Sequence, residues 1–216
     1  MLLTDLLNFL IHLDQGLTFI IQQFGLWTYA ILFLAIFCET GLVVTPFLPG
    51  DSLLFISATF ASKGSFMVEV LFGLLVTAAI AGDTVNYWLG YFVGPKVFNK
   101  EDSRFFKREY LERARTFYEK YGAKTIILAR FVPIIRTFAP FVAGIGKMSY
   151  RRFLTYNIVG GIAWVTIFIF GGYFFGNLQV VKDNLTLLIY VIIIVSLQPA
   201  IIELLRHKIR SKSKRS

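Results

Sequence analysis

Four ionisable residues stand where the surrounding sequence is apolar. Glu39 and Asp51 bound "ETGLVVTPFLPGD", residues 39–51, after thirteen uncharged residues (Leu26 to Cys38) and before eleven more (Ser52 to Ser62). Arg130 and Arg136 lie in "ILARFVPIIRTFAPFVAGIGKMSY", residues 127–150. A charge at bilayer depth costs about 2.5–3.5 kcal/mol on insertion scales, so such residues need a partner or a task. Two chemistries suit them. Arginine grips phosphate bidentately and keeps its charge, while acids near the midplane carry protons. Mutual Glu–Arg and Asp–Arg bridging is the plainer alternative; hairpin symmetry points to Glu39 with Arg136 and Asp51 with Arg130, with the swapped pairings left open.

The elements that must position these groups follow from composition. Of 216 residues 56% are apolar and only 16% charged, with a mean hydropathy of +0.66. A soluble domain carries about a quarter charged residues. Uncharged runs of 29 residues (Phe153 to Val181) and 19 residues (Asn184 to Ile202) reach the length of a membrane-crossing helix. The chain reads as an all-α polytopic membrane protein. The net charge of +9 gathers in segment 96–124, in Lys147–Arg152 and in the tail beyond Glu203. These are cytoplasmic loops under the positive-inside rule, not a nucleic-acid surface. The tail, 206–216, could add about 1 kcal/mol per basic residue on anionic lipid.

Residues 1–24 lack the basic start and cleavage site of a signal peptide and read as an interfacial amphipathic helix on the outer face. The membrane domain then covers 25–205, with spans over 70–95, 153–176 and 184–205 and a cytoplasmic helix over 96–124. If the tail and both basic segments lie inside, residues 125–146 must enter and leave on one face. Twenty-two residues are too few for two crossings at 1.5 Å each, so they form a re-entrant hairpin turning near Pro133 and Pro140. Residues 27–62 form its counterpart from the outer face, broken by Pro46, Pro49 and Gly50. Each hairpin precedes a span, and those spans end alike, "LGYFVG" at 89–94 and "GGYFFG" at 171–176. The expectation is an inverted repeat of the kind secondary transporters use, with the site between repeats. Asp83 and Asn86, one turn apart, are either an extension of a proton path or a buried pair that holds helices together.

At these residues the chain acquires a family likeness. "FCETGLVVTPFLPGDSLLF" together with "ILARFVPIIRTFAPFVAGIGKMSYRRF" resembles the bacterial DedA family, within the wider VTT or SNARE-associated membrane domains. The likeness spans almost the whole chain. It implies a lipid-translocating fold in the cytoplasmic membrane that returns undecaprenyl phosphate, or moves phospholipids, with dependence on the proton gradient and a role in envelope homeostasis. It implies that the essential polar positions are Glu39, Asp51, Arg130 and Arg136, the arginines for phosphate and the acids for protons or pairing. The partners expected are membrane lipids and protons, with homo-oligomerisation left open.

Enzyme chemistry is not expected. The only histidines, His12 and His207, lie outside both hairpins, so neither an acid–base pair nor a histidine-built metal site assembles there. No cofactor is expected, and lone Cys38 supports no intramolecular disulfide. A proton-coupled small-ion or drug antiporter is the nearest competing function, with a membrane phosphatase or a scaffold behind it.

Overall fold

The computed structural model describes residues 13–42, 50–98, 122, 124–176 and 178, and everything below concerns these residues. They form seven helices: α1 Leu13–Phe24, α2 Trp27–Gly41, α3 Gly50–Ser62, α4 Val68–Phe98, α5 Lys124–Ala129, α6 Pro133–Ile145 and α7 Tyr150–Phe175. The expectations for 1–12, Pro46, Pro49, most of 96–124, the span 184–205 and the tail fall outside the described residues.

Two helices, over Val68–Val93 and Tyr150–Phe175, are long and apolar enough to cross a bilayer. Both exceed the expected 70–95 and 153–176 at their starts, because Val68, Glu69 and Tyr150 to Arg152 continue the helix into polar sequence. Helix α4 also runs through Pro95 to Phe98, although a proline removes one backbone hydrogen bond and crowds the carbonyl four residues back. The limbs that precede them are shorter. At 1.5 Å per residue α2 and α3 measure about 22 and 20 Å, against a hydrocarbon core of about 30 Å. Pro133 opens α6 as expected of its fixed φ. Pro140 corrects the reading: it lies inside α6 and breaks nothing. The chain turns at Arg130–Val132 instead, and Pro140 leaves the Arg136 carbonyl without its helical donor.

The packing is reciprocal. Each first limb lies on its own long helix, α2 on α4 and α5 on α7, while each second limb crosses over, α6 on α4 and α3 on α7. The repeated endings mark the crossing points. A Cβ at Gly90 would lie 2.1 Å from the Phe141 carbonyl oxygen in α6, and one at Gly172 would lie 2.2 Å from that of Phe55 in α3. Gly90 and Gly172 are the same position of "LGYFVG" and "GGYFFG", so the two endings do one job. Thr59 tightens the second crossing by donating to the Gly172 carbonyl at 3.2 Å. The core falls into two clusters, one of Leu, Ile, Ala and Trp164 side chains among α1–α4 and α7, the other around Tyr87 and Phe153.

Candidate functional site

The charges lie at the ends of α2 and α3 and around the turn between α5 and α6. Glu39 lies in the last turn of α2 and Asp51 in the first turn of α3, where a helix N-terminus favours a carboxylate. Arg130 occupies the turn between α5 and α6, and Arg136 the first turn of α6. All are buried: Glu39 1% exposed, Asp51 8%, Arg130 2% and Arg136 4%.

Arg136 takes both acids. Its Nη1 donates to Asp51 Oδ1 at 2.7 Å and its Nη2 to Glu39 Oε1. The Glu39 carboxylate also accepts the Gly50 N–H at 3.3 Å. A Cβ at residue 50 would fall 1.9 Å from Glu39 Oε2, so only glycine admits this approach. The expected partnership of Asp51 with Arg130 is therefore wrong. Arg130 turns instead to α4 and α7, where Nη2 donates to Asp83 Oδ2 at 2.5 Å and to Asn157 Oδ1. The reason is position along the α5–α6 segment. Arg130 precedes α6 and faces α4 and α7, and Arg136 stands six residues further on, facing α2 and α3.

Asp83 and Asn86 do not act as a pair. Asp83 belongs to Arg130, while Asn86 Nδ2 donates to the carbonyls of Thr40 at 3.0 Å and Thr137 at 2.7 Å, tying α2 and α6 to α4. Two members of the site were not foreseen. Asn157 accepts from Arg130 and donates to the Ile80 carbonyl at 3.0 Å. Trp164 Nε1 donates to Asp51 Oδ1 at 2.9 Å, and its ring centroid lies 4.8 Å from Arg136 Cζ and 6.0 Å from Arg130 Cζ. With Gly160 and Gly161 they form one inward stripe of α7 at i, i+3, i+4, i+7 spacing, and that stripe is the only sequence signal that could have found them.

The cluster holds three carboxylates, Glu39, Asp51 and Asp83, against two guanidiniums, Arg130 and Arg136. Glu39 Oε2, Asp83 Oδ1, Arg130 Nε and Nη1, and Arg136 Nε have no hydrogen-bond partner among the described residues. Buried polar atoms are satisfied almost everywhere else in proteins, and unmet ones cost about 1–3 kcal/mol each. Chemically, the arrangement can exchange protons among the acids and offer guanidinium donors to an anion.

The VTT domain family matches residues 48–174, a stretch that holds every member of the cluster except Glu39. The chain is 55% identical over 205 residues to Protein DedA of Escherichia coli (strain K12), covering 94% of each. It is 46% identical over 179 residues to an uncharacterized membrane protein of Mycobacterium leprae (strain TN), covering 83% of this chain and 80% of that one. It is 32% identical over 152 residues to Inner membrane protein YqjA of Escherichia coli (strain K12), covering 70% and 69%. No solved structure matches. Family match, full-length likeness and two long apolar helices agree: the chain belongs to the DedA family of VTT-domain membrane proteins.

Proposed function

We propose that this protein is a lipid translocase, not an enzyme, which moves a phosphate-headed lipid, undecaprenyl phosphate foremost, across the cytoplasmic membrane with proton coupling. The observation that carries this reading is the buried cluster where α2, α3 and α6 meet, in which Arg136 is shared between Glu39 and Asp51. A polyprenyl phosphate has one anionic head and a tail that can stay in lipid. The protein must therefore supply only a short polar path with fixed positive charge, which the guanidiniums of Arg136 and, behind it, Arg130 provide. An anion cannot join a cluster that already holds one acid more than its bases unless protons neutralise carboxylates first. Proton uptake at Glu39 and Asp51 frees Arg136 for the phosphate, and proton loss on the other side returns Arg136 to the acids.

In this reading the two hairpins are re-entrant and enter from opposite faces, which the reciprocal packing of α3 on α7 and α6 on α4 favours. The cytoplasmic-membrane location draws support from the inner-membrane name of the YqjA relative. Phospholipids are secondary cargo, and no metal or cofactor takes part. The test is headgroup translocation by purified protein in liposomes, comparing undecaprenyl phosphate with phosphatidylethanolamine and phosphatidylglycerol, with and without a proton gradient. Gradient-dependent movement of the polyprenyl phosphate is expected. Equal, gradient-independent movement of all three would overturn both the cargo and the coupling.

A further inference from the structure

Trp164 belongs to neither hairpin, yet it touches three of the five buried charges. It is fully buried on α7. Its Nε1–H donates to Asp51 Oδ1 at 2.9 Å, the same oxygen that accepts Arg136 Nη1 at 2.7 Å. Its ring lies under the Arg136 guanidinium, 4.8 Å from Cζ to centroid, with Arg130 at 6.0 Å. A core tryptophan needs one acceptor for its N–H, and any backbone carbonyl would serve. Here the acceptor is a carboxylate that already holds a guanidinium.

That double use has a consequence for any step that separates Arg136 from the acids. Parting a buried ion pair strands whichever partner stays charged, here Arg136 until the phosphate arrives, which is strongly unfavourable. With Trp164 against both, neither group is left without a contact. Asp51 keeps a hydrogen bond from the indole N–H, and Arg136 keeps a π face, an attraction that strengthens away from water. Neither contact requires the Asp51–Arg136 bond to be intact. We infer that Trp164 is a positioning residue of the headgroup site, which holds Asp51 and Arg136 in place while their mutual bond opens to admit the phosphate. The inference rests on the headgroup reading of Arg136.

The two contacts can be removed separately. Trp164→Phe keeps a ring under Arg136 and loses the N–H, and Trp164→Leu loses both. In undecaprenyl phosphate translocation, Trp164→Phe should lower turnover about tenfold with KM within about twofold of wild type, the scale of one hydrogen bond to a charged group. Trp164→Leu should raise KM about tenfold as well. A tryptophan that merely fills the core gives changes that follow melting temperature, without a split between the constants. A second measurement needs no transport. Trp27→Phe/Trp88→Phe leaves Trp164 as the only tryptophan of the three in the chain, and its emission should shift saturably when undecaprenyl phosphate is added in detergent. Adding Arg136→Gln should abolish that shift. Wild-type constants in Trp164→Phe, or an unmoved emission in a protein that translocates the lipid, overturn the inference alone. A wild-type protein that moves no phosphate-headed lipid overturns the headgroup reading and the inference together.

Discussion

Removing one member of a buried ion pair strands the other at about 3–5 kcal/mol, whereas removing both can be nearly neutral. The observed partners turn that asymmetry into a map. Arg130→Gln should destabilise the protein by roughly that amount because Asp83 keeps its charge without a cation. Adding Asp83→Asn should recover most of the loss, and adding Asp51→Asn should not, since Asp51 answers to Arg136. Thermal unfolding in detergent checks this, and equal rescue by either substitution would contradict the geometry. Arg136 has two acids, so Arg136→Gln needs both Glu39→Gln and Asp51→Asn beside it to regain a stable fold. That triple variant should be stable and unable to move undecaprenyl phosphate in liposomes. Transport at wild-type rate would reduce the cluster to charge balance. The four charges were legible in the sequence because a charge in apolar surroundings declares its cost. Asn157 and Trp164 carry no such penalty, and the i, i+3, i+4, i+7 stripe they share with Gly160 and Gly161 in "NIVGGIAW" marks a packed face without saying what packs on it.

Helix contacts through glycine discriminate between positions on one element. Gly73 of α4 has nothing within 4 Å of an added Cβ, whereas Gly90 of the same helix meets the Phe141 carbonyl at 2.1 Å. Gly73→Ala should leave the melting temperature unchanged or raise it, by at most about 1 kcal/mol of helix propensity. Gly90→Ala must push α6 away from α4 and should cost about 1–3 kcal/mol. Similar melting temperatures for the two variants would mean that α4 and α6 do not touch at backbone distance. Helix α7 could be read from uncharged length and α4 from an apolar run broken only by Asp83, and "LGYFVG" and "GGYFFG" announced equivalent elements. The site of the second break could not. Proline marks both a helix start and a helix interruption, and only the packing of α6 on α4 decides that Pro133 is the first and Pro140 is neither a start nor a turn.

At the scale of the whole molecule, limb length and reciprocal packing together constrain which ends share a face of the membrane. Helices α2 and α3, with 15 and 13 residues, are each too short to cross about 30 Å of hydrocarbon, and so are α5 and α6 with 6 and 13. Helix α4, at 31 residues or about 46 Å, crosses easily. If each pair of limbs enters and returns, Trp27 and Lys63 share one face, and Lys124 and Arg151 share the other. On the positive-inside rule the basic residues Lys147, Arg151 and Arg152 would put the second face in the cytoplasm. Trp27, Lys63, Lys124 and Arg151 are all exposed, so cysteines can be placed at them singly in a Cys38→Ala background. A membrane-impermeant maleimide applied to intact cells stripped of outer barriers should label Trp27→Cys and Lys63→Cys. Lys124→Cys and Arg151→Cys should react only after permeabilisation. Opposite accessibility of positions 27 and 63 would make α2 and α3 two halves of one broken crossing. The acids and the arginines would then no longer sit at the tips of opposed hairpins, and proton-driven exchange of Arg136 between faces would lose its structural basis.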